Sequence, residues 1–396
     1  MSHLGNEDTE DAPRRRARAD ELQRQIEQMM GRLRIAVVYA GEKSSTGAVI
    51  NQTANQRSWK SYEAVAHDIA QSLERLGCQR VSIMPEDMRL GERLRSEGIH
   101  MAWLNTGGVQ GYDSAAHASA MLEMLGIPYI GHSPLSAAIL DNKFVFKRQL
   151  LASGIATAPF VECKPADGGF DPESHTRFKI AFKNWTGAFI VKPVCGRASL
   201  NVHYVADRAS LSDTIKSVQE ATQSNVLVEG YLPGREYCVA TCGPLISRNR
   251  VLERSDAPFA FACVERVLEE NEKVFTSMDV SPITAERVRV LSRPEDAAIA
   301  NRLRGLGRSV FTELGVDTLV RLDVRAGEDG ELYVLEANPK PDLKAPGKQV
   351  TSIICAGIVQ EGMSYDDLIL SLLADKIDLL FSMRRDTVRS LLKTAA

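Results

Sequence analysis

The sequence has no CxxC pair and no HxxxH pair, so zinc-finger, thioredoxin-type and zincin chemistries have no starting point in it. Its seven cysteines are scattered at 78, 163, 195, 238, 242, 263 and 355. In a chain of this size they read as reduced thiols rather than a disulfide framework. No apolar run approaches the roughly 20 residues of a membrane helix. The start, MSHLGNEDTED, is acidic and polar, unlike a secretory signal. A net charge of −3 and a pI near 6.2 give no general reason to bind nucleic acid or an anionic membrane. The expectation is a cytoplasmic protein with no nucleic-acid or membrane partner. The composition is globular, at 44% hydrophobic and 25% charged, and 396 residues exceed one ordinary core.

Residues 1–12 are expected to be disordered. Residues 14–31 carry Leu22, Ile26, Met29 and Met30 at helical steps, with Leu33 just beyond. The "RRRAR" at 14–18 reads as a solvated helix start, and the apolar stripe needs a partner: the first domain or a second subunit, making a homodimer. From 33 to 133 strand and helix alternate. "LRIAVVY" (33–39), "VSIM" (81–84), "MAWLN" (101–105) and "PYIG" (128–131) are short apolar strands, and 58–76 is an amphipathic helix closed by Gly77. This βαβ pattern predicts an α/β fold with a doubly wound parallel sheet. Its ligands belong at the carboxyl strand ends, near 40–47 and 106–113. The expected boundaries are 1–32 for the tail and helix, 33–133 for an N-terminal α/β domain, 134–229 for a central unit and 230–396 for an α+β C-terminal unit.

The chemistry concentrates at "VRLDVRAGEDGELYVLEAN" (320–338). Asp329-Gly330 is a signal for a two-residue type I′ hairpin. In a regular hairpin around it, paired residues place Asp323 opposite Glu336 and Arg321 opposite Asn338. All four then share one face at cross-strand distance. Two facing carboxylates repel unless a cation lies between them, and oxygen-only ligands suit Mg²⁺ or Mn²⁺. The competing reading is a solvated hairpin face with an Arg–Asp pair. Upstream, "VKPVCGRASLN" ends a strand in Lys192 and continues as a small polar loop able to lie over phosphates, although a strand-end lysine before a loop is common. "VLVEGYLPGREYCV" is two strand-like runs with Glu229 closing the first and Glu236 opening the second.

Taken together, the strand-Lys-Pro-loop, "LVEGYLPGRE", "RLD" and "EAN" resemble ATP-grasp ligases, most closely the D-alanine–D-alanine ligase family. The stretches 121–160 and 357–373 are similar to theirs as well, so the likeness spans about 33–380. It implies a three-domain ATP-grasp architecture and an ATP-dependent carboxylate–amine ligase acting through an acyl phosphate on two small amino-acid-like substrates. It also implies that Lys143 and Lys192 hold ATP phosphates under the loop 195–201, which contains Ala198 and Ser199. Glu229 and Leu232 would meet adenine through their backbones beside Tyr231, and Glu236 would take the ribose. Asp323, Glu336 and Asn338 would bind two Mg²⁺ ions, Arg321 would stabilise the oxyanion, and Lys273 would cover the γ-phosphate. The departures lie on the substrate side. No residue of 40–61 matches the family's Gly-Gly-x-Ser-x-Glu segment. Ala198 stands in a serine place, Asp342 in a glycine place, and "KAPGKQ" replaces the serine that binds the second substrate. Lys344 or Lys348 is the candidate for that anion. The alternatives are a genuine cell-wall D-alanine–D-alanine ligase and a non-catalytic nucleotide-binding protein.

Overall fold

The computed structural model describes residues 7–41, 62–109, 111–165, 168–196, 199–269, 272–274, 286–347 and 352–395. The first helix, α1 (Glu7–Met30), begins ahead of the expected 14–31 and takes residues 7–12 into the helix. An acid-rich segment such as EDTED suits a helix N-terminus, where the backbone dipole favours negative charge. Then follow β1 (Arg34–Tyr39), α2 (Glu63–Arg75), β2 (Arg80–Pro85), α3 (Leu90–Ser96), β3 (Met101–Asn105), α4 (His117–Leu125) and β4 (Tyr129–Ile130). The four strands form a parallel sheet in the order β2-β1-β3-β4. After Arg34, β1 is apolar because both faces are covered; Ile35 to Val38 are fully buried. The α2 stripe of Val65, Ile69 and Leu73 packs inward. Gly77, at φ 110°, ends α2 where only glycine adopts positive φ without strain. The 58–61 part of the expected helix lies outside the described residues, as does most of the 40–47 segment.

The centre of the chain gives α5 (Pro134–Asp141), α6 (Lys143–Ala152), β5 (Phe160–Cys163), α7 (Thr176–Ala181), β6 (Phe189–Pro193), β7 (His203–Val205), α8 (Leu211–Thr222) and β8 (Val226–Gly230). Its antiparallel sheet runs β5-β8-β6-β7, closed on one face by Phe178, Phe182 and Phe189. A second antiparallel sheet uses β9 (Glu236–Cys242), a hairpin β10 (Leu245–Arg248) with β11 (Val251–Arg254) stands apart, and β12 (Phe259–Ala260), β13 (Val264–Arg266) and β14 (Val288–Val290) follow. After α9 (Ala297–Glu313) come β15 (Val320–Ala326) and β16 (Leu332–Asn338), giving the order β14-β13-β9-β15-β16 with β12 on β9. The chain closes with α10 (Ile353–Gly357), α11 (Tyr365–Met383) and α12 (Arg385–Ala395).

The α1 stripe finds its partner inside its own chain. Ala19, Leu22, Ile26 and Met29 join one core with β1, α2 and α11, and α1 lies on β11, α11 and α12. The stripe therefore needs no second subunit to be buried.

One buried acid in this region makes the fold's stability depend on pH. Asp375 of α11 accepts from the Gly243 amide at 2.9 Å. The approach is so close that a Cβ at 243 would sit 1.9 Å from the carboxylate. Burial outweighs the backbone amides and pushes its pKa up to about 7. A raised acid binds its proton more tightly folded than unfolded, so its contribution is full below about pH 4 and is lost as pH rises through 7. The loss is about 4 kcal/mol at most. Asp375→Asn is expected to flatten the stability profile between pH 4 and 7 in urea titrations; an unchanged slope there overturns the assignment.

Candidate functional site

The hairpin face forms as the sequence predicts, but by a different route. The Gly327 amide bonds Glu331 and the Gly330 amide bonds Gly327, so the loop has three residues, 328–330, with Gly330 at φ 74°. That is a type I turn followed by a left-handed residue, not the two-residue type I′ turn expected from Asp329-Gly330. The longer loop shifts the pairing near the tip, giving Val324↔Val334 and Ala326↔Leu332. A bulge between Asp323 and Val324 then restores the register, so that Asp323 faces Glu336 and Arg321 faces Asn338. Two departures cancel.

β9 on the other side of β15 extends the charged face. Asp323 lies opposite Cys238 and Arg325 opposite Glu236. Arg266 of β13 lies opposite Glu236 in turn. Asp323 is 5% exposed. It is gripped by Arg321 at 2.9 Å and Arg266 at 3.0 Å, and accepts weakly from the Cys238 thiol at 3.4 Å. Burial works against its charge, but the two guanidinium groups outweigh it and hold its pKa down to about 2. Arg266 also pairs with Glu236 at 2.9 Å, so a single arginine joins the predicted ribose acid to the predicted metal acid.

A second charged cluster comes from the central unit. Asn142 caps α6 through the Val145 amide. Lys143 therefore opens the helix, and its ammonium donates to the Gly196 carbonyl at 2.8 Å. Lys147 lies one turn on, fully buried. Lys192 ends β6. Glu229 on β8 is clasped by Lys192 at 2.5 Å and Lys147 at 3.0 Å. Burial alone would raise the Glu229 carboxyl, yet the two ammonium groups bring it down to about 2. For Lys147 burial prevails and lowers its pKa. For Lys192 burial is outweighed by Glu229 and Glu336, and the pKa rises. The two sheets meet at Glu336, which is 3.6 Å from Lys143 and 3.7 Å from Lys192.

The remaining predicted residues fall around this cleft. Tyr231 stands edge-on to Tyr204 at 4.9 Å, with the Arg325 guanidinium 4.8 Å from its ring centre. Leu232 is buried. Arg325 also donates to the Lys273 carbonyl at 3.0 Å, which ties the exposed Lys273 to the Glu236 end. Ser199, at φ 53°, belongs to the turn after β6; Ala198 and Lys348 lie outside the described residues. Lys344, a candidate for a substrate anion, already has a partner: Asp68 of α2, at 2.7 Å. Lys340 is the lysine of this loop that is buried toward the parallel sheet. It lies against Tyr62 and 3.5 Å from the Asn105 amide oxygen at the carboxyl end of β3.

Lys147, Arg266, Arg325 and Cys238 were missed by the sequence reading. Lys147 carried a signal, being four residues after Lys143 on one helix face. Arg266 and Cys238 carried none, since their roles depend on the β13-β9-β15 order.

The donor set fits a hard divalent cation. Asp323 is held ionised, Glu336 has no closer partner among the described residues than the two lysines, and Asn338 offers an amide oxygen that here accepts from the Lys340 backbone amide at 3.1 Å. Among the described residues no three His, Cys, Asp or Glu side chains converge on one point. Magnesium does not require that, because it commonly takes one or two carboxylates and fills its octahedron with waters and phosphates.

Comparison with known proteins bears on the family and the fold. The family described as D-ala D-ala ligase C-terminus matches residues 150–374. An uncharacterized protein of Sinorhizobium fredii is 28% identical over 267 residues, covering 67% of this chain and 71% of that protein. A D-alanine–D-alanine ligase of Synechococcus sp. is 24% identical over 344 residues, covering 86% and 92%. A D-alanine–D-alanine ligase of Bacillus anthracis, solved with ATP, superposes with a TM-score of 0.62 at 18% identity, covering 88% of this chain and 99% of that one. A D-Ala:D-Ser ligase of Enterococcus faecalis gives 0.60 at 18%, covering 87% and 99%.

Proposed function

This chain belongs to the D-alanine–D-alanine ligase family of ATP-grasp enzymes, and on that premise we propose that it joins two small amino-acid-like substrates through an acyl phosphate. The observation that carries this reading is the meeting of Lys143 of α6 and Lys192 of β6 with Glu336 of β16. Cations for phosphate and oxygen donors for magnesium then lie on opposite walls of one cleft. Such placement of charge is the main catalytic device in phosphoryl transfer.

In this reading ATP lies between the sheets. Lys143 and Lys192 take its phosphates, the Glu229 and Leu232 backbones and the Tyr231 ring bound the adenine, and Glu236 takes the ribose hydroxyls. Asp323, Glu336 and Asn338 would hold the Mg²⁺ ions, which offset phosphate charge. Lys273, tethered at its carbonyl by Arg325, closes over the γ-phosphate. A substrate carboxylate oxygen attacks the γ-phosphorus and ADP leaves. The second substrate's amine then attacks the acyl carbon, and Arg321 stabilises the oxyanion that forms. Collapse expels phosphate, and the amine sheds its proton to leave an amide.

The substrate pair is the part that differs from the family. Asp342 occupies the glycine place beside the oxyanion, and Lys344 is pinned to Asp68 where the family uses a serine loop. A relative of the same fold joins D-Ala to D-Ser, so the second substrate varies on this scaffold. The test is a mass-spectrometric screen of amino-acid pairs with ATP and Mg²⁺, coupled to ADP release. Amino-acid-dependent ADP release with a condensed product supports the proposal. D-alanyl-D-alanine as the preferred product assigns the ordinary cell-wall activity, and the absence of turnover with any pair overturns the ligase reading.

A further inference from the structure

The parallel sheet has a second charged end, opposite the cleft. Its carboxyl edge faces the ligase site, where Asn105 of β3 meets Lys340. Its amino edge holds a cavity of about 280 Å³ lined by Gly31, Arg32, Arg34, Arg80 and His100. Among the described residues the lining has three guanidinium groups and an imidazole, and no carboxylate. Among the described residues no ion pair engages Arg32, Arg34 or Arg80. Arg34 and Arg80, the first residues of β1 and β2, stand directly opposite each other. Like charges at such a pair repel unless an anion lies between them.

The imidazole supplies an independent argument. The Arg34 backbone amide donates to His100 Nδ1 at 3.1 Å. An amide can only donate, so Nδ1 is the acceptor and Nε2 carries the hydrogen. Nε2 then faces an Nη nitrogen of Arg34 at 2.9 Å. Guanidinium nitrogens are donors only, so two donors are held together with no acceptor between them. The Arg34 Nε is spent on the Gly98 carbonyl at 2.6 Å, which fixes the side chain in this position. An oxyanion in the cavity accepts from both groups at once. The same cations push the His100 pKa down, after burial, and so favour the neutral ring.

We propose that this cavity is a binding site for a small phosphoryl-bearing anion, separate from the ligase cleft. Guanidinium groups match phosphoryl oxygens with paired, charge-assisted bonds. Inorganic phosphate and the phosphate of a larger metabolite share that chemistry. The volume lies near the lower bound for small-ligand pockets, which admits either.

The full chain is titrated calorimetrically with orthophosphate and, separately, with ribose 5-phosphate, against sodium chloride at matched ionic strength. The same titrations are run on Arg32→Ala, Arg80→Ala and, for the ligase cleft, Lys143→Ala, which lies outside the buried Glu229 clasp. Arg32 and Arg80 are exposed, so their truncation leaves the core intact. Binding that weakens about tenfold or more in the two arginine variants and persists in Lys143→Ala supports the site. Tighter binding of ribose 5-phosphate than of orthophosphate assigns a phosphorylated metabolite, and the reverse order assigns free phosphate. No binding at millimolar concentrations overturns the proposal, as does binding that survives both arginine substitutions or is lost only with Lys143.

Discussion

Glu336→Gln is expected to leave the protein folded and to reduce turnover by roughly 10²-fold or more, the scale of removing one preorganised electrostatic group. The two halves of this expectation come from different features of the residue. Its side chain is a third exposed and approaches Lys143 and Lys192 only at 3.6 and 3.7 Å. An amide of the same shape therefore strands no buried hydrogen bond. The charge, however, stands between the two lysines and opposite Asp323, and an amide could not balance a divalent cation held there. Steady-state rates at saturating ATP and Mg²⁺, with urea midpoints for both proteins, are the check. Near-wild-type turnover would place the metal elsewhere. A stability loss matching the activity loss would make Glu336 a structural acid.

The geometry of the candidate site was legible where it is local in sequence and hidden where it depends on sheet order. The hairpin face followed from strand alternation, although the turn was misjudged: Asp329-Gly330 suggested two loop residues and the chain uses three. The error did no damage because the bulge at Asp323 returned the pairing to register, and nothing in the local sequence announces that bulge. The parallel sheet was readable because its strands are continuous apolar runs with a glycine stop after α2. The packing of α1 was half readable. Its stripe called for a partner, but that partner, α11 with β11, lies more than two hundred residues away. Lys344 shows the opposite failure. A basic loop beside an active site suggests an anion site, while Asp68, which takes the charge, sits on a helix of another unit. Arg266 and Asp323 are 57 residues apart and meet only through the β13-β9-β15 order, which kept that contact from view.

The largest change in stability is expected at Glu229. It is 2% exposed, and its carboxylate lies between two ammonium groups that are themselves buried, Lys147 at 3.0 Å and Lys192 at 2.5 Å. Removing one partner of a buried ion cluster costs about 3–5 kcal/mol, because the charge left behind is both desolvated and unpaired. Glu229→Gln leaves two such charges, and its amide offers one acceptor oxygen where the carboxylate offered two. Part of the loss should return in Glu229→Gln/Lys147→Met, since removing the ammonium whose pKa burial already lowers restores the balance around Lys192. A double-mutant cycle in urea measures this directly, and equal losses in the single and double variants would show that the lysines do not act through Glu229. The pH dependence gives a second reading of the same cluster. The folded carboxyl is held at about 2, below its ordinary value of 4.5. Its contribution is therefore complete above about pH 4.5 and is lost as pH falls toward 2. Glu229→Gln should make that acid limb shallower, leaving the parts that Asp323 and Asp317 contribute, and leave the Asp375 limb between pH 4 and 7 in place. If the acid limb kept its full slope after the substitution, the stabilising charge of this cluster would have to lie on another carboxylate.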